Sequence, residues 1–309
     1  MRVLVAERVH PVLLDSLARL GIEADYRPGA PREWLLENVA SYEVMVVRGR
    51  VRVDSELLAR GARGRLRAVI RAGVGLDSID LDAARRLGVE VYNTPSAPTE
   101  SVAELAIGLM IAVARRVVEL NLRARQGEWV KGEGVELNGK TLLVVGLGRI
   151  GGRVAEIARA GFNMRVLGYD LPWVLEKKQG LVEPVTSLID GISSADFISI
   201  HVPLTPETKG LIGRRELSYA KRGAILVNTA RGAVVDPEAL LWAVQEGILA
   251  GAGLDVLIDE PPRSGAELEL LRHPRVVVTP HIGSQTREAQ ERTAREVVSI
   301  IARLAGLKG

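Results

Sequence analysis

The sequence predicts an α/β protein of two doubly wound parallel-sheet domains, the second inserted into the first. Three observations carry this expectation. Short apolar runs alternate with helical stretches along nearly the whole chain, the pattern of βα units that build parallel sheets. A proline-bearing break, Asn93-Thr94-Pro95-Ser96-Ala97-Pro98, separates two such series. A final helical stretch, 286–304, follows completion of the second series and is placed to return to the first. The expected domains are therefore 1–96 with 284–309, and 97–283.

In the first series, strands are expected at 2–6, 43–47, 67–70 and 89–92, and helices at 11–20, 54–60 and 80–87. After the break, Ser101 and Glu104 have the spacing of a capping box. They predict the start of a long helix, apolar over 102–118 and ended by Gly127-Glu128-Trp129. A helix apolar on several faces is buried in its own domain or against a second copy. A homodimer is the expectation here. The second series predicts strands at 142–145, 165–168, 197–201, 224–227, 250–254 and 276–278. Six strands make a full doubly wound sheet.

Composition narrows the partners. The chain has 309 residues, 47% of them hydrophobic, which suits two domains each with its own core. The net charge is +3, with both signs interspersed, so neither nucleic acid nor a membrane is implied. Cysteine is absent, which excludes disulfides and cysteine metal sites, and no other metal site is expected. Met1-Arg2 leads straight into the strand-like Val3-Leu4-Val5-Ala6, without a signal-peptide pattern. The apolar stretch 105–114 is too short to span a bilayer. A cytoplasmic location is expected.

The stretch Thr141-Leu-Leu-Val-Val-Gly146-Leu-Gly148-Arg149-Ile150-Gly151-Gly152 runs from an apolar strand through a glycine turn into a helix. Gly146 allows the tight turn, Gly148 lets the backbone approach a pyrophosphate, and Gly151 lets the helix pack close to the strand. The helix N-terminus then offers N–H groups and a positive dipole end to phosphates. Asp170, 19 residues after Gly151, stands where a carboxylate binds the ribose hydroxyls. A flavodoxin-like turn without ligand explains the glycines but not the acid. The acid would repel a 2′-phosphate, and Leu171-Pro172-Trp173 follows it rather than an arginine. NAD is the expected cofactor, held by a Rossmann domain.

Three polar residues lie near the ends of later strands: Arg231 after 226–230, Glu260 before Pro261-Pro262, and His281 after Thr279-Pro280. Ligands of open α/β sheets bind beyond the carboxyl ends of the strands. Hydride transfer at a carbinol carbon needs a proton exchanged at its oxygen, and histidine does this near neutral pH. A neighbouring carboxylate favours imidazolium, and arginine binds a substrate carboxylate through two hydrogen bonds. Singly, each has a plainer reading as a solvated arginine, a turn-capping acid or a loop histidine.

Several motifs together resemble the D-isomer-specific 2-hydroxyacid dehydrogenases over nearly the whole chain. They are Val145-Gly-Leu-Gly-Arg-Ile-Gly151, His201-Val-Pro-Leu-Thr205, Val227-Asn-Thr-Ala-Arg-Gly232, Leu254-Asp-Val256 with Glu260-Pro-Pro262, and Thr279-Pro-His-Ile-Gly283. The resemblance implies a Rossmann NAD domain inserted into a flavodoxin-like substrate domain, with hinges near residues 96 and 283. It implies His281 as acid/base, Glu260 as its partner and Arg231 as the group orienting the substrate. It places Arg149 and Ile150 at the pyrophosphate and Asp255 near the nicotinamide carboxamide. Val202, Pro203, Thr229, Ala230 and Gly283 would line the cofactor cleft. His201 is expected to be non-catalytic, and His10 and His273 to be surface or cap residues.

Substrate choice is expected in the first domain, at Arg48 and Arg50 after one strand and at Arg71, Gly73, Val74 and Gly75 after another. The glycine loop would offer N–H groups to a carboxylate, and the arginines suit a second anion such as phosphate. The pattern is similar to the phosphoglycerate-oxidising branch of the family, although Gly49 stands where those enzymes often carry serine. The chain stops at Gly309, so feedback by serine through a C-terminal regulatory domain is not expected. The alternatives are a glyoxylate/hydroxypyruvate reductase and, more remotely, an NAD-sensing binding protein of the co-repressor kind.

Overall fold

A computed structural model describes residues 1–263 and 265–307. The chain divides into two compact units, Met1–Pro98 with Ser284–Gly309, and Thr99–Gly283. The α/β expectation holds for both.

The first unit contains β1 (Arg2–Val5), β2 (Glu23–Tyr26), β3 (Val44–Val47), β4 (Ala68–Arg71) and β5 (Glu90–Asn93). They form one sheet in the order β2-β1-β3-β4-β5, with every pair parallel. This is the flavodoxin-like order, with its switch point between β1 and β3. The central strand β3 is apolar and buried throughout because helices cover both faces. The helix Arg287–Leu304 buries Val297, Ile300 and Ile301 in the same core as Val3, Val5 and Leu13. Thr286 caps its start by accepting from the Ala289 N–H, and Arg67 donates to the Leu304 carbonyl at its end.

The second unit contains β6 (Thr141–Val145), β7 (Arg165–Tyr169), β8 (Glu183–Pro184), β9 (Phe197–Ile200), β10 (Ala224–Asn228), β11 (Leu249–Leu254) and β12 (Val276–Val278). The order is β12-β11-β10-β9-β6-β7-β8, all parallel, with the switch point between β6 and β9. Two apolar layers, one on each face, bury it.

The structure corrects four expectations. The edge strand β2 and the helix Arg32–Asn38 have no counterpart in the sequence reading. β2 reads Glu-Ala-Asp-Tyr, with no apolar run to betray it. The second sheet has a seventh strand, β8, only two residues long. The capping box is not used: the helix begins at Thr99, directly after Pro98, and Ser101 is buried inside it. That helix also ends at Ala114, because Arg116 takes a left-handed conformation (φ +51°) and a separate helix, Val117–Arg125, follows. The apolar character of Thr99–Ala114 is satisfied within its own unit. Val102, Ala106, Leu109, Met110 and Val113 are buried there, packed on the Arg149–Phe162 helix and on β10 and β11. Among the described residues, no helix is long and apolar enough to cross a membrane.

Candidate active site

The glycine turn after β6 is shaped for close approach. Gly146 has φ +94°, and a Cβ there would lie 2.8 Å from the His201 carbonyl carbon and the Val202 nitrogen. Gly151 sits in the first turn of the following helix, where a Cβ would lie 1.9 Å from the Gly146 oxygen. Gly148, the N-cap, has nothing within 4 Å of where its Cβ would be. Two glycines thus serve the turn and the helix packing, while the third leaves the backbone open from outside. Arg149 and Ile150 begin the helix beside it. At the end of β7, Asp170 accepts from Leu147 N–H and from Leu171 N–H, both at 2.6 Å. The acid therefore also braces the glycine turn.

Beyond β12, His281 and Glu260 meet. His281 Nδ1 lies 2.8 Å from Glu260 Oε2 and 3.1 Å from Oε1. The imidazole backbone is left-handed (φ +54°), and its N–H donates to the Asp255 and Thr279 carbonyls, both at 2.9 Å. Asp255, 2% exposed, fixes this turn: Oδ1 accepts from Thr279 Oγ1 (2.6 Å) and Ile282 N–H (2.8 Å), and Oδ2 from Gly283 N–H (2.8 Å). Its side chain thus holds the His281 loop in place.

The electrostatics follow from these contacts. The hydrogen bond to Glu260 raises the His281 pKa above its usual value against desolvation, with help from the charges of Glu260 and Asp255 and opposition from Arg231. For Glu260, partial burial favours the neutral acid, but His281, the Leu257 N–H and the charge of Arg231 together hold it below the usual carboxylate range. Arg231 opens a short 3-10 turn after β10 and donates from Nη1 to the Ala230 carbonyl at 2.7 Å. Arg231, Glu260 and His281 thus share one electrostatic environment at the carboxyl end of the sheet.

The other histidines behave differently. His201 packs its Nε2 2.7 Å from Ser199 Oγ, and burial pushes its pKa down to about 3, so it stays neutral. Thr229, 9% exposed, places Oγ1 3.5 Å from the His201 Nδ1. His10 Nδ1 accepts from the Val12 N–H and caps the first helix. His273 Nδ1 accepts from the Arg275 N–H. Val202, Pro203 and Ala230 lie at the ends of β9 and β10. Among the described residues, no group of three or more His, Cys, Asp or Glu could hold a metal ion.

In the first unit, the Arg71 guanidinium reaches Gly49, while Arg48 Nη1 donates to the Arg8 carbonyl at 3.3 Å. Arg71 donates to the Ala72 carbonyl at 3.0 Å, and its guanidinium spreads across two glycines. A Cβ would lie 1.2 Å from Arg71 Nη1 at Gly73 and 3.3 Å from Nη2 at Gly49. The Gly73 N–H donates to the Arg71 carbonyl, and the missing Cβ makes room for the guanidinium. Val74 stands exposed beside half-buried Gly75, and its carbonyl accepts from Asn93 Nδ2. Arg48 is held by its surroundings; burial lowers its pKa, opposed by the charge of Glu7.

Glu7 is the residue the sequence reading missed. It follows β1 and is 8% exposed. Oε2 accepts from the N–H groups of Arg48 (2.5 Å), Gly49 (2.8 Å) and Val51 (3.3 Å), and Oε1 from Arg50 (3.0 Å). The loop after β3 is wrapped around an internal anion. The available signal was an acid just past one central strand, with a basic loop past another.

Residues 107–283 match the family model described as D-isomer specific 2-hydroxyacid dehydrogenase, NAD binding domain. The chain belongs to this dehydrogenase family. It is 40% identical over 295 residues to a D-3-phosphoglycerate dehydrogenase of Methanocaldococcus jannaschii, covering 94% of this chain and 55% of that one. It is 41% identical over 305 residues to a glyoxylate reductase of Aeropyrum pernix, covering 95% of this chain and 89% of the other. The D-lactate dehydrogenase of Aquifex aeolicus, solved with NAD and lactic acid, superposes with a TM-score of 0.83 at 31% identity, covering 99% and 96% of the two chains. The chain spans about half the length of the D-3-phosphoglycerate dehydrogenases it matches first.

The residues of the chain's second unit fit the NAD of its family. Gly148 leaves the helix N-terminus open to a pyrophosphate, and Asp170 supplies a carboxylate at the end of the neighbouring strand.

Proposed function

We propose that this dehydrogenase oxidises 3-phospho-D-glycerate to 3-phosphohydroxypyruvate with NAD, the entry reaction of serine synthesis. The observation that carries the chemistry is the His281–Glu260 pair beside Arg231. A bound NAD would supply the hydride acceptor for the carbinol carbon. His281 accepts the hydroxyl proton on its Nε2 side, because Nδ1 is committed to Glu260. In reduction it gives that proton back. Glu260 holds the ring and stabilises its positive form. Arg231 orients the substrate carboxylate through its guanidinium. Gly146, Gly148, Arg149, Ile150, Gly151 and Asp170 would hold the pyrophosphate and ribose. Val202, Pro203, Thr229, Ala230, Asp255 and Gly283 would line the rest of the cofactor site.

Arg48 and Arg71, with exposed Arg50, support a second anion on the substrate. NADH formation is measured with 3-phosphoglycerate, glycerate and lactate in parallel. The phosphorylated acid is expected to be turned over best, and Arg48→Ala and Arg71→Ala to raise its KM at least tenfold. Equal turnover of the three acids, unmoved by either substitution, refutes the phosphate reading.

A glyoxylate/hydroxypyruvate reductase is the second reading, favoured by Glu7. Its carboxylate already takes the N–H groups of Arg48, Gly49, Arg50 and Val51, which leaves fewer donors for a substrate phosphate. We also propose a homodimer. The helix Val117–Arg125 buries none of its residues, and Trp129 beyond it is 88% exposed.

A further inference from the structure

Glu260 sits on a short segment between β11 and the helix Gly265–Arg272. That segment is gripped from two sides. From the first turn of the helix, Glu267, 8% exposed, turns its carboxylate back onto it. Oε1 accepts from the Ile258 N–H at 2.6 Å and Oε2 from the Asp259 N–H at 3.1 Å. On the other side the same backbone lies against Gly232, the residue after Arg231. A Cβ there would lie 2.1 Å from the Leu257 carbonyl carbon and 2.4 Å from the Ile258 nitrogen. Inside this grip the Glu260 side chain is slung between the Leu257 N–H (3.2 Å) and His281 Nδ1.

We propose that Glu267 is a positioning residue for the reaction: its two-pronged hold on residues 258 and 259 fixes the Glu260 carboxylate against His281 and keeps that segment seated beside Arg231. The inference rests on the reading of His281 as acid/base. A buried carboxylate receiving two backbone N–H groups is a stiff joint, since each bond to an ionised acceptor is stronger than a neutral one. Glu260 is the single residue between Asp259 and Pro261, so slack at 258–259 passes directly to it. The groups whose charges bear on His281 are Glu260 and Asp255, which favour imidazolium, and Arg231, which opposes it. Glu267 acts through the first of these; among the described residues its carboxylate holds the Ile258 and Asp259 N–H groups and not the ring. A misplacement of about 1 Å at such a contact is enough to slow a reaction substantially.

The test is a titration of the His281 ring by NMR in the full chain, assigned against His281→Asn; four histidines keep the spectrum simple. Glu267→Gln keeps the volume but turns an NH2 toward one of the two N–H donors. It is expected to move the His281 titration to lower pH and to cut kcat on the order of tenfold with KM for the acid little changed, the size seen when an outer partner of a reacting group is lost. Glu267→Ala should do more; where it does not fold, the Gln variant still decides. A folded Glu267→Gln protein whose His281 titrates where the parent's does overturns the inference. Full turnover by His281→Asn would instead overturn the acid/base reading, which keeps the two failures apart.

Discussion

Glu7→Ala removes the carboxylate around which residues 48–51 are wound. Four consecutive backbone N–H groups lose their acceptor at once. Deleting an ionised acceptor costs about 1.5–3 kcal/mol for a single buried donor. The four bonds share one carboxylate, and Gly49 and Arg50 are exposed enough for water to replace part of the loss. The net expectation is about 3 kcal/mol, or a melting-temperature fall of about 10 °C in a unit of this size. The functional consequence is separate. Arg48 loses its neighbouring negative charge and the fixed loop that aims it, so KM for the acid should rise about tenfold or more while kcat at saturation holds. Thermal melts and steady-state NADH kinetics measure both effects. Formate in excess should enter the vacated nest and lower the KM again. A Glu7→Ala protein that melts with the parent and binds the acid as well would show that the loop does not depend on this carboxylate.

Three further expectations concern the second unit. The His281 pKa is raised by Glu260, so imidazolium persists to higher pH than in a free histidine. The attraction is fully present at low pH and is lost as pH rises through the raised value. Reduction, which needs imidazolium, should therefore stay active to higher pH than it does in Glu260→Gln, whose kcat/KM limb should move to lower pH; a limb that stays put refutes the pairing. Gly151→Ala should destabilise the fold by about 1–3 kcal/mol, because its Cβ would meet the Gly146 oxygen. Gly148→Ala has open space, so it should melt normally yet bind NADH more weakly, as read by NADH fluorescence; equal NADH affinity in the two proteins would count against an open pyrophosphate site at Gly148.

The sequence by itself determined what neighbours along the chain can express. The apolar runs of β3, β6 and β10 declare buried parallel strands, because a strand covered on both faces is apolar along nearly all its length. Gly146, Gly148 and Gly151 declare their turn, because glycines at that spacing let a strand, a tight corner and a close-packed helix succeed one another within a few residues. Where local signals are weak, the reading failed: β2 is polar, β8 is two residues long, and the left-handed Arg116 interrupts a helix without glycine or proline.

Only the tertiary structure decided which carboxylates serve as internal anions. Glu7 reaches Arg48, 41 residues away, because β1 and β3 are adjacent in the sheet. Asp255 closes on the Thr279–Gly283 turn because β11 and β12 are paired. The spread of Arg71 over Gly49 and Gly73 likewise exists only once β3 lies beside β4. A backbone N–H carries no residue label, so the groups these carboxylates hold leave no trace in a motif until the strands are side by side.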